Sequence, residues 1–512
     1  MTDPAAFTAA GRIAVIDLGS NSLRLVVFER LGGTLLPLLN EKVMCGLARG
    51  LAATGRLSPE GIALALPNLG RFVALARAIG IDHLAVIATA AVRDASDGQA
   101  FAAEVERRCG VPVRIIDGAA EARLSAIGVL AGIPEASGVV ADLGGGSVEL
   151  VRVRRAGLAP GDWDERIGDG VTLPIGPLRL AELGDGGKPV SEAIERAVAG
   201  VAVLRAAAGH SLYLVGGAWR AIARLHMDHS GYPLHIIHQY TLARAEAEGF
   251  LDIIGRQSKK SLDRILTISR KRLEVVPLAA FILRRLIAAA APQWVVFSAF
   301  GLREGYAYGL IPAAERAADP LLAACIAIAA RESRFRADGD RLQEWTAPLF
   351  PRLTEARRRV HRVACWLSDI AWSDHPDYRA EQAFTRTLRL PFAAITHHDR
   401  VFVASALHTR YGGAAEDAVT APTRGLLGEA DAREVRRLGL ALRLAYTLCG
   451  GVLELLADVW IGREDGAIVL EVAPAGDMFV GETVQRRLDA LGRAFGLPAR
   501  LRRREPRLVA RG

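Results

Sequence analysis

The sequence predicts an α/β protein over its first three-fifths, followed by a helical region and a small α+β segment. Short β-branched runs alternate with helical patterns as far as about residue 300. A strand, tight turn and second strand occur twice, around Asp17 and around Asp142. Their spacing of about 125 residues is too long for a solenoid repeat and suits two copies of one domain. After Pro312 the chain becomes rich in Ala, Leu and Arg. Its 512 residues also exceed one ordinary core, because single cores stop growing at roughly 250–300 residues. We expect domains at 1–130, 131–312, 313–410 and 411–512.

The elements follow in order. Ile13 to Ile16 is a strand that stops at Asp17-Leu-Gly-Ser-Asn-Ser22, and Leu23 to Phe28 is the strand that returns. Ser58-Pro-Glu60 opens a helix through an N-cap hydroxyl and a first-turn proline, and the helix runs to about Ile79. His83 to Ala88 reads as a strand, Gln99 to Cys109 as a helix and Val113 to Ile116 as a strand, with a helix around Glu121. The second copy runs from Val139 to Ala141, turns through Asp142-Leu-Gly-Gly-Gly-Ser147 and returns along Val148 to Val153. A helix at 191–208 precedes a strand from Ser211 to Val215 that ends in Gly216-Gly217. Trp294 to Ser298 is the last strand of this part, and helices follow at 320–335 and 354–370. The final segment has strand patterns at Val452 to Trp460 and Ala467 to Val472 around a turn at Gly462 to Gly466.

Composition narrows the class. Hydrophobic residues are 51% and charged residues 23%, enough apolar area for every long segment to fold. Cys45, Cys109, Cys325, Cys365 and Cys449 are odd in number, scattered and without a CxxC pair, so we read them as reduced core thiols. Met1 to Ala10 lacks the basic lead and apolar run of a secretory signal. No apolar run approaches the roughly 20 residues that span a bilayer, so we expect a cytoplasmic protein with no membrane partner. The net charge of +8 favours polyanions. Nucleic acid is one, yet no nucleic-acid motif accompanies the charge, and Arg502-Arg503-Arg504 falls in what reads as a frayed tail.

A glycine- and hydroxyl-rich turn between strands aims several backbone N–H groups one way and so cradles phosphate oxygens. One such loop is commonly an ordinary turn. Two copies of Asp-Leu-Gly-X-X-Ser argue for a pair of phosphate loops.

These loops, Asp17-Leu-Gly-Ser-Asn-Ser22 and Asp142-Leu-Gly-Gly-Gly-Ser-Val-Glu149, resemble those of the exopolyphosphatase and guanosine pentaphosphate phosphatase family. Ala88-Thr-Ala-Ala-Val-Arg-Asp94, Gly118-Ala-Ala-Glu-Ala-Arg-Leu124, Leu173-Pro-Ile-Gly176, Leu214-Val-Gly-Gly217 and Ser298-Ala-Phe-Gly-Leu-Arg-Glu-Gly305 match in family order over residues 11–310. The resemblance implies two ribonuclease-H-like domains of the actin and sugar-kinase superfamily, then a helical HD-like domain. It also implies an exopolyphosphatase that releases orthophosphate from inorganic polyphosphate with Mg2+, commonly as a homodimer. Guanosine pentaphosphate or tetraphosphate is the rival substrate, and a sensor that binds without turnover is a rival of another class. A sugar kinase would need an adenosine site and a sugar-binding acid, neither of which we identify.

By the same resemblance Glu121 is the base that activates water, and its usual acidic neighbour is Ala120 here. The plain alternative for Glu121 is a solvated helix carboxylate paired to Arg123 or another base. Glu149 is a second carboxylate that shares the water or holds a metal. Asp17 and Asp142 are Mg2+ ligands or turn caps, since hard oxygen ligands suit Mg2+ and Asx side chains cap turns. Arg93 forks phosphate oxygens, or pairs on the surface with Asp94 or Asp97. Ser20, Asn21, Ser22, Gly144, Gly145, Gly146 and Ser147 complete the cradle, and Gly216-Gly217 serves packing. In the helical region, Ala364-Cys-Trp-Leu-Ser-Asp-Ile-Ala371 resembles the central HD helix with Ser368-Asp369 where His-Asp belongs. Losing an imidazole weakens a metal site, and His361, His375, His397, His398 and His408 do not restore a ligand set. Arg357, Arg358, Arg359 and Arg362 are either a polyanion track or a solvated basic face.

Overall fold

The computed structural model describes residues 10–31, 33–155, 163–184, 187–256, 275–474, 476 and 480–503. The chain forms two compact units, Met1–Pro320 and Leu321–Gly512.

The first unit holds two sheets of one plan. β1 (Ala10–Leu18), β2 (Ser22–Leu31) and β3 (Thr34–Met44) form an antiparallel meander, and β4 (His83–Ala88) and β5 (Val113–Ile115) add in parallel, giving the order β3-β2-β1-β4-β5. The second sheet repeats this with β6 (Gly138–Leu143), β7 (Val148–Val153) and β8 (Ile167–Leu173) as the meander. β9 (Ser211–Val215) and β11 (Trp294–Phe297) are its parallel strands, and β10 (Tyr240–Ala243) closes the edge antiparallel, in the order β10-β11-β9-β6-β7-β8. Each glycine-rich turn joins the first two strands of a meander, so both arise at equivalent ends of equivalent strands.

Three strands carry no clear sequence pattern. β3 contains Pro37 and alternates only weakly because only Thr34 and Leu35 in it are buried, conditions an edge strand tolerates. β8 is similarly polar, and β10 has four residues. The helix expected at 191–208 ends at Val198 because Gly200 takes a left-handed conformation at φ 74°, after which Ala202–Ala207 is a 3-10 turn. The Pro59–Ile79 helix is capped as expected, with Gly61 N donating to Ser58 Oγ at 3.1 Å. It is long and apolar enough to cross a membrane, a property the single-run criterion missed. Here its apolar residues have another use: Leu69, Phe72, Val73 and Ala76 are buried in the core beneath the first sheet.

The second unit is mainly helical. Pro320–Glu332, Gly339–Thr346, Glu355–Trp366, Arg379–Arg389, His397–Arg410 and Glu429–Cys449 precede a sheet of β12 (Val459–Glu464), β13 (Ala467–Val472) and β14 (Ala499–Arg503). The strand expected from Val452 begins only at Val459; Leu453–Asp458 is a 3-10 turn that buries Leu453 and Leu456. A short apolar run cannot be told from a helical turn by periodicity. The hairpin turns at Asp465-Gly466, with both residues at positive φ, so Gly462 lies inside β12. Arg502 and Arg503 belong to β14 rather than to a frayed end, and Arg502 bridges Glu464 and Glu471 at 2.9 and 3.2 Å. Arg504 and Met1 to Ala9 lie outside the described residues. All five cysteines are buried with free thiols.

Candidate active site

The two glycine-rich turns close in the same way. Gly19 N donates to Ser22 O at 3.1 Å, and Gly144 N donates to Ser147 O at 3.0 Å. Behind the first turn, Ala48 N donates to Ser20 O, and Cys45 N and Gly46 N donate to Asn21 O. Behind the second, Leu178 N and Gly176 N donate to the carbonyls of Gly145 and Gly146. With the carbonyls held from the rear, N–H groups and hydroxyls are what each turn has left to offer a ligand. The turns abut: a Cβ on Gly145 would sit 2.8 Å from Ser20 Cβ, closer than real Cβ contacts allow. Between them opens a cleft of about 200 Å³ lined by Asp17, Ser20, Asn21, Ser22, Thr89, Glu121, Asp142, Gly144, Gly145 and Ser147.

Four carboxylates converge here. Glu121 lies in the first turn of the Gly118–Gly132 helix, whose N-cap Asp117 accepts from Ala120 N at 2.8 Å. It is 7% exposed and accepts from Arg93 Nη1 at 3.1 Å. Arg123 pairs with Asp164 and the base that pairs with Glu121 is Arg93, but Glu121 is too buried to be the solvated surface carboxylate of the plain alternative. Burial, with the charges of Glu149 and Asp142 adding to it, holds the Glu121 carboxyl well above the usual range. Glu149 is also raised, chiefly by burial; its Oε1 accepts from Ser147 Oγ at 2.6 Å, and its buried Oε2 has no hydrogen-bond partner. Burial raises Asp142, which accepts from Ser125 Oγ, and Asp17, which pairs with Arg303 Nη1 at 3.1 Å. Neither aspartate is a simple turn cap.

Arg93 combines parts of both expectations. From the short Ala90–Asp94 helix it holds Glu121 through Nη1 and Asp94 through Nε at 3.3 Å, while Asp97 pairs with Arg56. Gly216 serves packing at φ 117°, since a Cβ there would meet Leu143 O at 2.5 Å, and it also lines the cleft. Four cations that the sequence reading did not assign line the same cleft: Arg24, Lys42, Arg220 and Arg303. Arg24 is pushed down to about 10 by burial and by the charges of Arg303 and Arg220. Arg303 was within reach, as it stands inside a matched motif. Lys42 was not, because it rides on β3.

Glu121 and the cation opposite are mechanically joined. The Gly118–Gly132 helix carries Glu121, and the Leu302–Gly309 helix carries Arg303. A Cβ on Gly305 would lie 1.8 Å from Leu124 O, and one on Gly128 would lie 2.2 Å from Gly301 O. The two backbones touch without room for a methyl group.

Among the described residues, no three His, Cys, Asp or Glu side chains converge closely enough to hold a metal ion by themselves. Mg2+ commonly takes one or two carboxylates and completes its shell with phosphate oxygens and water. The orphaned Glu149 Oε2 and its buried acidic neighbours fit that kind of partial site.

The helical unit has a different chemistry. Ser368 Oγ donates to Cys365 O at 2.6 Å, and Asp369 is held by Arg334 through Nε at 3.1 Å and Nη2 at 3.0 Å. A guanidinium therefore occupies the carboxylate of the altered His-Asp position. Most of the expected polyanion track is committed elsewhere: Arg357 pairs with Asp431, Arg362 with Asp340, and Arg359 donates to Ala394 O. Arg358 donates to Leu353 O at 3.4 Å. His361 engages Glu434 at 2.7 Å, His398 engages Asp431 at 3.0 Å and His408 engages Asp417 at 3.2 Å. His375 lies on the surface 3.8 Å from Asp377, and His397 is buried.

Comparison with known proteins agrees with this geometry. Residues 26–314 match the Ppx/GppA phosphatase family, and residues 321–501 match the exopolyphosphatase C-terminal domain. An exopolyphosphatase-like protein of known structure is 26% identical with a TM-score of 0.52, over 59% of this chain and 98% of that one. An exopolyphosphatase from Cytophaga hutchinsonii, at 21% identity and TM-score 0.52, covers 59% of this chain and 97% of its own. The PPX-GPPA enzyme of Aquifex aeolicus, at 23% identity and TM-score 0.50, covers 59% of this chain and 99% of its own. The last two support the fold, with paired halves of the actin-like, ribonuclease-H-like type. With its two abutting glycine-rich turns and buried carboxylates, the chain belongs to the Ppx/GppA phosphatase family.

Proposed function

We propose that this phosphatase is an exopolyphosphatase that removes terminal orthophosphate from inorganic polyphosphate. The observation that carries the reading is Glu121, buried in the cleft between the two abutting loops with Arg93 on one carboxylate oxygen. Ser20, Asn21, Ser22, Gly144, Gly145, Gly146 and Ser147 bind the terminal phosphoryl group, where N–H donors neutralise charge with little reorganisation. Glu121, in its ionised form, takes a proton from water as the water oxygen bonds to the terminal phosphorus. The bridging P–O bond breaks, and its electron pair leaves on the shortened chain. Arg93 orients Glu121 and reaches toward the transferred group. Mg2+, when bound, would supply positive charge for that group, with one or two of Asp17, Asp142 and Glu149 holding it and phosphate oxygens and water completing its shell. Little covalent help is needed, because positioning and charge neutralisation dominate phosphoryl transfer.

Two observations favour a polyphosphate chain over a guanosine nucleotide. Arg24, Lys42, Arg220 and Arg303 extend the cationic lining beyond the loops, and none of the described lining residues is aromatic. A nucleobase would normally find a stacking surface. The match to the exopolyphosphatase C-terminal domain points the same way. Orthophosphate release from long-chain polyphosphate and from guanosine pentaphosphate, each with Mg2+, tests the assignment in wild type and Glu121→Gln. Release from polyphosphate that collapses in the variant while binding persists supports it. Release from the nucleotide alone transfers the assignment to a nucleotide phosphatase, and release from neither favours a sensor. A cytoplasmic homodimer is the accompanying expectation, and light scattering of the purified protein tests the dimer.

A further inference from the structure

The position where the helical unit departs from the His-Asp pattern has gathered arginines. Arg410, at the end of the His397–Arg410 helix, is 4% exposed and stacks against Tyr411 at 4.2 Å and Tyr446 at 3.9 Å. Asp369 is the acid beside it, but Arg334 already grips both carboxylate oxygens, and Arg410 Nη2 reaches Oδ1 at only 3.4 Å. Arg410 Nε is buried with no hydrogen-bond partner. Arg443, on the Glu429–Cys449 helix, lies against the turn that follows Arg410: its Nη2 is 2.6 Å from where a Cβ on Gly412 would stand, and Gly412 has φ 102°. Arg487, on the Glu482–Phe495 helix, has a buried Nε without a partner and is close enough to Arg443 for their charges to interact. The nearby Asp417 is engaged by His408.

Arg334 and Arg410 thus share one carboxylate, and Arg443 and Arg487 add positive charge beside Arg410 with no acid of their own on their guanidiniums among the described contacts. Clustered like charges raise the energy of the folded state, and burial strengthens the effect. Planar guanidiniums have a characteristic remedy, because each can fork two oxygens of a phosphate.

We propose that Arg410, Arg443 and Arg487 form a second oxyanion site, in the helical unit, that takes a phosphate group, either as the free ion or at the end of a chain. Arg334 and Asp369 brace Arg410 from behind, and the rings of Tyr411 and Tyr446 restrict its guanidinium to one plane. The site does not depend on the proposed reaction of the first cleft.

The test is site-resolved arginine modification of the full-length protein by phenylglyoxal, read by peptide mass spectrometry. Inorganic phosphate and tripolyphosphate are compared with sodium chloride at matched ionic strength. At a phosphate concentration four times the dissociation constant, modification of Arg443 should slow about fivefold. Protection by inorganic phosphate identifies the free ion, and protection by tripolyphosphate alone identifies a chain end. Equilibrium dialysis with whichever labelled anion protects, phosphate or tripolyphosphate, should lose one class of site in Arg443→Gln and, as a second variant, in the less buried Arg487→Gln. Orthophosphate release by the same proteins reports the first cleft separately. Equal protection by chloride, or an unchanged number of bound phosphates in both folded variants, overturns the proposal.

Discussion

The two units concentrate opposite charges. In the first, Asp17, Glu121, Asp142 and Glu149 are buried together and their carboxyls rise above the usual range. In the second, Arg334 and Arg410 hold Asp369 while Arg443 and Arg487 add further positive charge, and Arg443 is pushed down to about 10 by burial and its cationic neighbours Arg487 and Arg410. The difference teaches where to look for ligands: the first cleft, where buried carboxyls face Arg24, Lys42, Arg220 and Arg303, suits a cation together with phosphate, and the basic cluster suits an anion alone.

The sharpest way to break this comparison is to neutralise Glu121. Glu121→Gln should lower the rate of orthophosphate release by about 10²–10⁴-fold, the range of general base catalysis, with little change in polyphosphate binding. Equal losses of rate and binding would make Glu121 a binding group. On the other side, Asp369→Ala removes the acid that Arg334 and Arg410 share. The folded state should lose on the order of 3 kcal/mol, since removing one partner leaves uncompensated charge. Urea titration measures this, and no change would mean that solvent already neutralises the cluster.

Gly145→Ala drives a methyl group into Ser20 and should cost roughly 1–3 kcal/mol of stability together with rate, as read by thermal unfolding and orthophosphate release. If neither changes, the two turns do not work as a single cradle. The smallest expected effect is on pH dependence. A buried carboxyl with a raised pKa holds its proton more tightly folded than unfolded, so its contribution to stability is complete below the unfolded value and is lost as pH rises through the folded one. The metal-free protein should therefore lose thermal stability as pH rises above the ordinary glutamate range, and Glu149→Gln should flatten that slope. A slope that steepens in the variant would contradict the assigned shift.

The sequence made some of this legible because some of the chemistry is local. Asp17 to Ser22 and Asp142 to Glu149 are contiguous, so their turns could be read directly, and Glu121 stands in a recognisable helix start. The strands His83–Ala88 and Ser211–Val215 were legible to the residue because buried strands interrupt polar surroundings. β3 was hidden by Pro37 and by an exposed face, and Lys42 was hidden with it. Arg410, Arg443 and Arg487 come from three separated helices, so only tertiary packing brings them together. The basic run at Arg357–Arg359 had the opposite fate: it looked available in the sequence, yet Arg357 and Arg359 are engaged in the fold.

The contact between Gly128, Gly305 and the backbones facing them gives the enzyme a gauge with no adjustment. A machinist would call the gap between these helices a zero-clearance fit, and both parts of the tool are mounted across it. Glu121 travels with one part and the Asp17–Arg303 pair with the other. A single methyl group at Gly305, on the back of the mount, would reset the distance between the Glu121 carboxylate and the opposite wall of the cleft. Damage to this catalyst can therefore begin at a position that no substrate would ever touch.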